Sequence, residues 1–308
     1  MSTLTGLISS GGGGGGASHL GVVLLTESTT VSFPVDVQAL VYVIGAGGSG
    51  AASMYKKTCG GGAGGCAVSN LTLTSGTTYT ATIGAGGAGV YQPVVNVVLN
   101  GVAGGNSSFS GSDITTMTGN GGLGGIGEND YGTALTGVAG GSASGGNIAN
   151  VTGGSAGNVS ASGFETSSGG DVGIFVTPPR AAGDISAYPA NVLGYNPLPF
   201  DLPFTGYANT AFISAPTYYY QTYSLAAGTK GTLAWQDSTN RRRAISDSGA
   251  FSGGSGAAYV DSGSANNYAL AGDASLGGGG GGAIAARQYA ISGNGGVGAV
   301  IIQILSLG

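Results

Sequence analysis

The chain has 308 residues, of which 67 are glycine, 7% are charged and 41% are apolar, and its formal net charge is −5. Its eight basic residues form no long patch, which argues against the basic face that nucleic-acid binding requires. No apolar run approaches the roughly 18 residues of a membrane-spanning helix, so we expect no membrane insertion. Composition alone allows either an ordered glycine-rich fold or a low-complexity disordered chain.

Strand-like stretches cluster at the two ends of the chain. Residues 22–25, 29–33 and 39–44 are rich in β-branched and apolar side chains. Thr-rich stretches follow at 71–83, and residues 298–305 show the clearest strand pattern, which we expect to return and pair with the N-terminal strands. Glycine interrupts nearly every window long enough for a helix. The predicted fold class is therefore all-β, a small β-sandwich or barrel built from N-terminal and C-terminal strands, with essentially no α-helix.

Glycine tracts lie between and after these strands, at 11–16, 45–50, 60–65, 84–89, 119–127, 137–157 and 277–282. Residues 119–127 read Gly-Asn-Gly, Gly-Leu-Gly, Gly-Ile-Gly, so a larger residue recurs at every third position. Three residues per turn is the period of an extended left-handed helix that makes no internal hydrogen bonds. Several such helices side by side would satisfy each other, and only glycine permits that approach. We therefore predict Gly-rich loops packed as polyglycine II helices; flexible linkers are the alternative.

The middle of the chain differs in composition. Seven of the fifteen tyrosines lie between residues 188 and 223, and six of the nine prolines lie between residues 178 and 203. Because aromatic rings anchor interfaces and stack on sugars, this region is a candidate receptor- or subunit-contacting surface. The candidate contact residues are Tyr207, Tyr218, Tyr219, Tyr220, Tyr223, Trp235, Arg241, Arg242 and Arg243. In the alternative interpretation the aromatic residues form the core that the Gly-rich part lacks, and the arginines occupy a solvated loop.

These patterns divide the chain into three parts of one composite domain. Residues 1–173 contain the N-terminal strands and a Gly-rich region, and residues 174–250 form a Tyr/Pro-rich insertion. Residues 251–308 contain a Gly-rich return and the closing C-terminal strand.

Two catalytic motifs occur without the context that their chemistry requires. The run from Gly45 to Gly50 matches a dinucleotide fingerprint, but glycines interrupt the helix that should follow, and the next acidic residue is Asp113. A Gly-Xaa-Ser-Xaa-Gly pattern surrounds Ser155, yet the only histidine, His19, lies upstream of it. We therefore expect neither an enzyme nor a bound cofactor.

The two cysteines, Cys59 and Cys66, are separated by six glycine or alanine residues. A disulfide across this loop is one option. Because the sequence shows no signal for export to an oxidising compartment, we favour two reduced side chains. One cysteine pair and one histidine do not supply the four ligands of a zinc site. Glu128 and Asp130 could hold a surface cation, but a solvated turn is the commoner outcome, so we predict no metal.

A strand followed by Gly-Ala-Gly-Gly occurs twice. The sequence Val-Tyr-Val-Ile-Gly-Ala-Gly-Gly-Ser-Gly at 41–50 recurs in softened form at 80–89, and Gly-Gly-Val-Gly-Ala-Val-Ile-Ile closes the chain at 295–302. This order resembles the glycine-rich domain of bacteriophage tail fibres and tail-tip adhesins. It is also similar to the adhesins that cap T-even long tail fibres, whose glycine tracts form polyglycine II helices. The resemblance covers residues 20–160 and 250–308.

The resemblance implies a virion structural protein that acts by host attachment. We expect a tail-fibre or tail-tip component that binds a bacterial surface receptor, either a sugar or an outer-membrane protein, and that contacts other virion proteins. By analogy with phage fibres it could be a homotrimer. The first residues lack the features of a signal peptide, so we expect synthesis in the host cytoplasm and a location in the virion. The alternatives are a head decoration protein or fibre connector and, more remotely, an ice-binding glycine-helix protein.

Overall fold

A computed structural model describes residues 21–128, 133–159, 166–172, 235–236, 241–243, 253–254, 256–259, 268–274, 276–285 and 289–308. Every helix or strand in these residues is a β-strand, which confirms the predicted all-β class. The strands are β1 (Gly21–Leu25), β2 (Thr29–Val31), β3 (Val37–Ile44), β4 (Ala52–Met54), β5 (Lys57–Thr58), β6 (Cys66–Leu73), β7 (Tyr79–Thr82), β8 (Tyr91–Gln92), β9 (Val98–Leu99), β10 (Ser107–Gly111), β11 (Ile114–Gly119), β12 (Gly127–Glu128), β13 (Ala143–Ser144), β14 (Ala149–Val151), β15 (Trp235–Gln236), β16 (Arg241–Arg243), β17 (Ala257–Tyr259), β18 (Tyr268–Leu270), β19 (Ala283–Ala285), β20 (Tyr289–Ile291) and β21 (Ala299–Leu307).

The first sheet joins the two ends of the described chain. Its strand order is β1-β21-β3-β6-β14, and all of its neighbours are antiparallel. The closing strand β21 lies between β1 and β3, so that Val300 is paired with Leu25 on one side and Val43 on the other. The predicted return of the last strand is confirmed.

A second sheet, in the order β13-β11-β10-β7-β2, packs against one face of the first. Alternate residues of β3, Ala39, Val41 and Val43, point into the shared core, because successive side chains of a strand face opposite sides. From the second sheet, Phe109 and Met117 fill the same core. Neither sheet closes on itself, so the fold is a sandwich rather than a barrel.

Tyr79 combines core packing with a polar contact at the edge of the sandwich. Its ring stacks on Phe109 with centroids 5.6 Å apart and an interplanar angle of 15°. Its hydroxyl donates a hydrogen bond to Asp113 Oδ2 (2.8 Å) and accepts one from the amide of Thr74 (2.7 Å). A buried phenol needs such partners, and these bonds also fix the turn between β6 and β7.

Within the described residues, twelve glycine-rich segments extend from one end of the sandwich, and together they are called the glycine bundle. They are segments I (45–51), II (59–65), III (84–90), IV (100–106), V (120–126), VI (136–142), VII (152–158), VIII (166–171), IX (253–254), X (271–274), XI (277–282) and XII (292–298). Most have seven residues, which span about 22 Å at roughly 3.1 Å per residue.

The hydrogen bonds of segment I rotate through three neighbours. The amides of residues 45, 48 and 51 donate to segment II, those of 46 and 49 to segment IV, and those of 47 and 50 to segment XII. This rotation is the three-residue period of polyglycine II. The predicted packing of polyglycine II helices is therefore confirmed, and the flexible-linker alternative is wrong for these segments.

The segments pack in a hexagonal array. Segment I exchanges backbone hydrogen bonds with six others, namely II, III, IV, V, XI and XII. Backbone hydrogen bonds likewise join segment II to I, V, VI, VII, VIII and XI, and segment XI to I, II, VIII, IX, X and XII. Three enclosed segments are thus surrounded by nine outer ones, and every residue of the enclosed three is buried.

Side-chain oxygens satisfy amides at the edge of the bundle, where an outer segment lacks a further neighbour. In each case an Asn or Asp on one outer segment accepts a hydrogen bond from a backbone amide of the next outer segment. The acceptors are Asn106 for Gly121, Asn158 for Gly137, Asn294 for Gly89, Asp273 for Asn294 and Asp171 for Gly253. These side chains replace the backbone carbonyl that a further segment would supply.

The far end of the bundle is also made of strands. Chain order places β4, β8 and β12 there, because they follow segments I, III and V, which leave the sandwich from β3, β7 and β11. The strands form a six-stranded sheet (β15-β16-β17-β19-β4-β9), a three-stranded sheet (β18-β20-β8) and the pair β12-β5. We call this the distal end, and the opposite end of the sandwich the proximal end.

Candidate functional site

The points where β1 begins and β21 ends lie far from the distal end. At the bundle side of the first sheet, Leu25 is paired with Val300. At the proximal side, Gly21, where β1 begins, is paired with Ile304, and β21 ends at Leu307. The loops at the distal end therefore lie at the opposite end of the molecule, beyond both the sandwich and the glycine bundle.

Residues 91–99, the distal loop, connect segment III to segment IV at the distal end. The buried side chain of Gln92 accepts a hydrogen bond from the amide of Val94 (Oε1···N 2.7 Å). The amide of Asn96 donates to the carbonyl of Met54 (3.2 Å), and Asn96 has a φ of 61°, a conformation that asparagine tolerates in turns. These contacts tie the loop to β4, so its shape is set by the bundle beneath it.

The distal loop exposes apolar side chains. Tyr91 and Val94 are each 54% exposed and Val95 is 49% exposed. The Tyr91 ring lies 5.5 Å from the ring of Tyr289, at an interplanar angle of 51°. Rigid aromatic side chains such as Tyr91 are common anchors of recognition sites, because little conformational entropy is lost when they bind.

Only part of the predicted contact surface falls in the described residues. Tyr207, Tyr218, Tyr219, Tyr220 and Tyr223 lie outside them, as does most of the predicted insertion at 174–250. Trp235 belongs to β15 and is paired with Arg243 of β16, which in turn pairs with β17. The backbone of Trp235 and of the arginine triplet is therefore placed at the distal end, in the same sheet as β4 and β9.

Sequence reasoning missed the distal loop. Its run of valines and leucine, 94–99, has the composition of a strand or a buried core segment. The available signals were Pro93 and Asn96, which favour turns and interrupt a strand. They indicate a loop but do not show that its valines face solvent.

The two rejected catalytic motifs are both built into the glycine bundle. The Gly45–Gly50 run is segment I, enclosed by six segments, so there is no space beside its backbone for a dinucleotide. Ser155 belongs to segment VII. The amide of the next residue, Ala156, donates a hydrogen bond to the carbonyl of Val138 (2.9 Å) in the regular bundle pattern. Within the described residues no group of three or more His, Cys, Asp or Glu side chains could hold a metal ion.

Both cysteines are free and buried, which confirms the reduced form that the sequence analysis favoured. They lie at opposite ends of segment II, about 22 Å apart for seven extended residues, whereas disulfide-bonded Cα atoms are roughly 4.4–6.8 Å apart. Burial raises the pKa of both the Cys59 and the Cys66 thiols, so they are held as unreactive thiols.

Comparison with known proteins identifies a family. A family model described as a glycine-rich domain matches residues 24–305, a range that includes the Tyr/Pro-rich region 174–250. No curated protein matches the chain. In the part of the chain that the structure describes, no helix is long and apolar enough to cross a membrane. Because the match spans nearly the whole chain, the protein belongs to the glycine-rich domain family.

Proposed function

We propose that this protein is a bacteriophage virion component, carried at a tail or tail-fibre tip, that binds a receptor on the bacterial surface without catalysing a reaction. The observation that carries the proposal is the placement of the distal loop. Its exposed Tyr91, Val94 and Val95 are held at the end of a bundle whose three inner segments are fully enclosed. The resemblance of the sequence to phage tail-tip adhesins supports the virion assignment.

The glycine bundle holds the distal loop more rigidly than a flexible linker would, which suits a recognition surface. Six distal strands are joined directly to strands of the sandwich through one glycine segment each, namely β4, β5, β8, β9, β12 and β20. Neighbouring segments are cross-linked by backbone hydrogen bonds of 2.7–3.2 Å. A loop fixed before binding loses little conformational entropy when it contacts its receptor, so more of the contact energy remains as affinity.

Apolar and aromatic side chains in the distal loop suit two receptor classes. Tyrosine rings stack on sugar faces, and exposed valines pack against apolar residues of a membrane protein. A strand edge of the receptor could also pair with the distal sheets. The expected receptor is therefore a bacterial surface glycan or an outer-membrane protein.

A binding assay on cells tests the proposal. Fluorescently labelled protein is incubated with the bacterial strain that the source phage infects and with non-host strains, and binding is measured by flow cytometry. We expect saturable binding to the host that competes with phage adsorption. Loss of binding after periodate treatment of the cells indicates a glycan, and loss after protease treatment indicates a protein.

Paired substitutions test the distal loop itself. Val94→Asp with Val95→Asp should weaken binding by about tenfold or more, because a charge is inserted into a desolvated contact. Val35→Asp is the matched control, since Val35 is 40% exposed and precedes β3 at the proximal end. Absence of host binding, or equal loss in the control, contradicts the receptor role. Labelling of the head or of a fibre joint by electron microscopy would instead favour the purely structural alternative.

A further inference from the structure

The sequence contains three asparagines that are followed directly by glycine, and all three lie in outer segments of the glycine bundle. They are Asn100 before Gly101 in segment IV, Asn120 before Gly121 in segment V and Asn294 before Gly295 in segment XII. Asparagine deamidates faster before glycine than before other residues, because glycine has no Cβ to hinder attack by its amide nitrogen. The bundle therefore contains three sites at which this modification is chemically favoured.

Deamidation at such a site needs no reagent other than water. The glycine amide nitrogen attacks the side-chain carbonyl carbon of the asparagine. The bond from that carbon to the side-chain nitrogen breaks, and the nitrogen leaves as ammonia with the proton of the glycine amide. Water then opens the resulting succinimide ring and yields aspartate or isoaspartate, and in isoaspartate the main chain is one methylene longer. The first step requires a glycine amide released from its hydrogen-bond acceptor and an asparagine side chain that can turn toward it.

Backbone carbonyls of neighbouring segments hold two of the three glycine amides. Gly101 donates to the carbonyl of Gly125 (2.8 Å), which joins segments IV and V, and Gly295 donates to the carbonyl of Gly87 (2.9 Å), which joins segments XII and III. A backbone carbonyl cannot rotate away on its own, so either amide is released only when two segments separate.

The amide of Gly121 is held by a side chain instead. It donates to Oδ1 of Asn106 (2.9 Å), an exposed residue of segment IV. An exposed side chain gains rotamer freedom when it lets go, and it can do so while both segments stay in place. Water then takes its place on the amide. The Gly121 amide is therefore released more easily than the amides of Gly101 and Gly295.

The asparagine side chains differ in the same order. Backbone amides donate to two of them, that of Gly127 to Oδ1 of Asn100 (3.2 Å) and that of Gly89 to Oδ1 of Asn294 (2.7 Å). Within the described residues the Asn120 side chain makes one hydrogen bond, from its Nδ2 to the hydroxyl of Ser142 (2.9 Å). The side chain that must turn toward the glycine nitrogen is thus held least firmly at Asn120.

We propose that Asn120 is the site at which this protein deamidates first, and that the side chain of Asn106 is the latch that delays the reaction. The product changes the packing. The amide of Asn120 donates to the carbonyl of Ser142 (2.8 Å), and its carbonyl accepts the amide of Gly65 in the enclosed segment II (2.9 Å). An extra methylene at residue 120 breaks the three-residue register of segment V against both neighbours. Isoaspartate therefore keeps this edge of the bundle from closing again.

Ageing of the purified full chain in mildly alkaline buffer tests the proposal without any receptor. Peptide mapping by mass spectrometry gives the conversion rate at each asparagine, and each rate is divided by the rate at the same site in urea-denatured protein. In the wild type Asn120 should convert about threefold faster or more than Asn100 and Asn294. Asn106→Ala should raise the rate at Asn120 by a further factor of about three or more and leave the other two sites close to their wild-type rates.

Asn158→Ala is the matched control. Asn158 Oδ1 accepts the amide of Gly137 (3.0 Å) between segments VI and VII, so this variant loses an edge hydrogen bond of the same kind at a place without an asparagine–glycine pair. Its rate at Asn120 should equal that of the wild type. The proposal is overturned by any of three results: equal normalised rates at the three sites in the wild type, an unchanged rate at Asn120 in Asn106→Ala, or the same acceleration in Asn158→Ala. Equal acceleration of all three sites in Asn106→Ala also overturns it, because that pattern indicates general unfolding.

Hydrogen exchange tests the structural consequence. Deamidation adds one negative charge, so anion exchange separates the chains modified at residue 120 from unmodified protein. Amides of segment V (120–126) should exchange faster in the modified fraction, while those of segment XII (292–298) should exchange as in the unmodified protein. Unchanged exchange in segment V would overturn the claim that the modified edge stays open.

Discussion

A methyl group added to Gly47 would lie 1.7 Å from the carbonyl oxygen of Gly278, far inside any non-bonded contact distance. Among the described glycines a positive φ occurs only at Gly76, Gly145 and Gly277, so Gly47 does not need glycine for its backbone conformation. It needs glycine because the neighbouring segment occupies the space of a side chain. The glycine content of this protein therefore reflects backbone packing far more than flexibility.

Gly47→Ala should lower the free energy of unfolding by about 3 kcal/mol or more. Overpacking a core usually costs roughly 1–3 kcal/mol, and here the colliding atoms belong to a backbone that cannot rotate away. Urea denaturation followed by circular dichroism measures the change, provided that the transition is two-state.

The control for this substitution is Gly76→Ala. Gly76 has no atom within 4 Å of an added Cβ, but its φ is +75°. The control should therefore cost roughly 1–2 kcal/mol through backbone strain alone. If Gly47→Ala were no more destabilising than Gly76→Ala, close packing would not be the reason for the glycine.

The same packing explains which parts of the bundle could be predicted. Every third residue of segment V points in the same direction, so its residues form three rows along the helix. Two of these rows face neighbouring segments, and the third, Asn120, Leu123 and Ile126, faces solvent, which is why the three-residue period is visible in the sequence. An enclosed segment has neighbours on every side, so it admits only glycine and small side chains such as Ala46 and Ser49 of segment I. Segment XI is pure glycine and carries no readable period. The sequence indicates the helix type but not the number of neighbours of each segment.

The exposed surfaces could not be predicted for a different reason. Val94 and Leu123 are hydrophobic residues in a chain that has few charges, and sequence patterns assign such residues to the core. In this fold the glycines fill much of the interior with backbone, so several large apolar side chains are left on the outside. Exposure therefore depends on the hexagonal arrangement, which the sequence does not reveal.

Asn106→Ala should lower the free energy of unfolding by about 0.5–1.5 kcal/mol, the usual value of one hydrogen bond. Asn106 Oδ1 accepts the amide of Gly121 (2.9 Å) at the edge between segments IV and V. Asn106→Asp is the control, because it retains the acceptor oxygen and replaces the amide NH2 group by a second carboxylate oxygen. Chemical denaturation of both variants measures the difference, and equal losses in Ala and Asp would show that the acceptor contributes nothing.

The contact between Tyr79 and Asp113 should make stability sensitive to pH at both extremes. Burial, together with the Asp113 carboxylate, raises the pKa of Tyr79. Burial opposes a fall in the pKa of Asp113, but hydrogen bonds from Thr74 and Tyr79 outweigh it and lower that pKa. The Tyr79 contribution is thus complete below the unfolded value of about 10 and is lost as pH rises. The Asp113 contribution is present above the unfolded value of about 3.9 and is lost as pH falls through its lower folded value.

Tyr79→Phe tests the alkaline side, because it keeps the ring that stacks on Phe109 and removes the hydroxyl. Its unfolding midpoint should fall less steeply than that of the wild type above about pH 10. Asp113→Asn should make the acid side less steep in the same way. Identical pH profiles for wild type and Tyr79→Phe would rule out this coupling. Tyr91→Phe, on the exposed distal loop, controls for removal of one phenol.

Replacing Gln303 should make the protein more stable. It is 2% exposed on β21, and in the described part of the chain its Oε1 has no hydrogen-bond partner. Its neighbours in register are Leu40 on β3 and Val22 on β1. An unsatisfied buried polar group costs about 1–3 kcal/mol, so Gln303→Met, which keeps the length of the side chain, should raise the free energy of unfolding by about 1 kcal/mol or more.

The matched control for Gln303→Met is Gln38→Met on the same face of the first sheet. Gln38 Oε1 accepts a hydrogen bond from Thr72 Oγ1 (2.8 Å), and its Nε2 donates to Asn70 Oδ1. Because this amide is satisfied, its removal should leave stability unchanged or lower it slightly. Thermal and urea unfolding of the two variants give opposite signs if the orphaned oxygen is the cause. A loss of stability in Gln303→Met would mean instead that its amide makes a contact that methionine cannot replace.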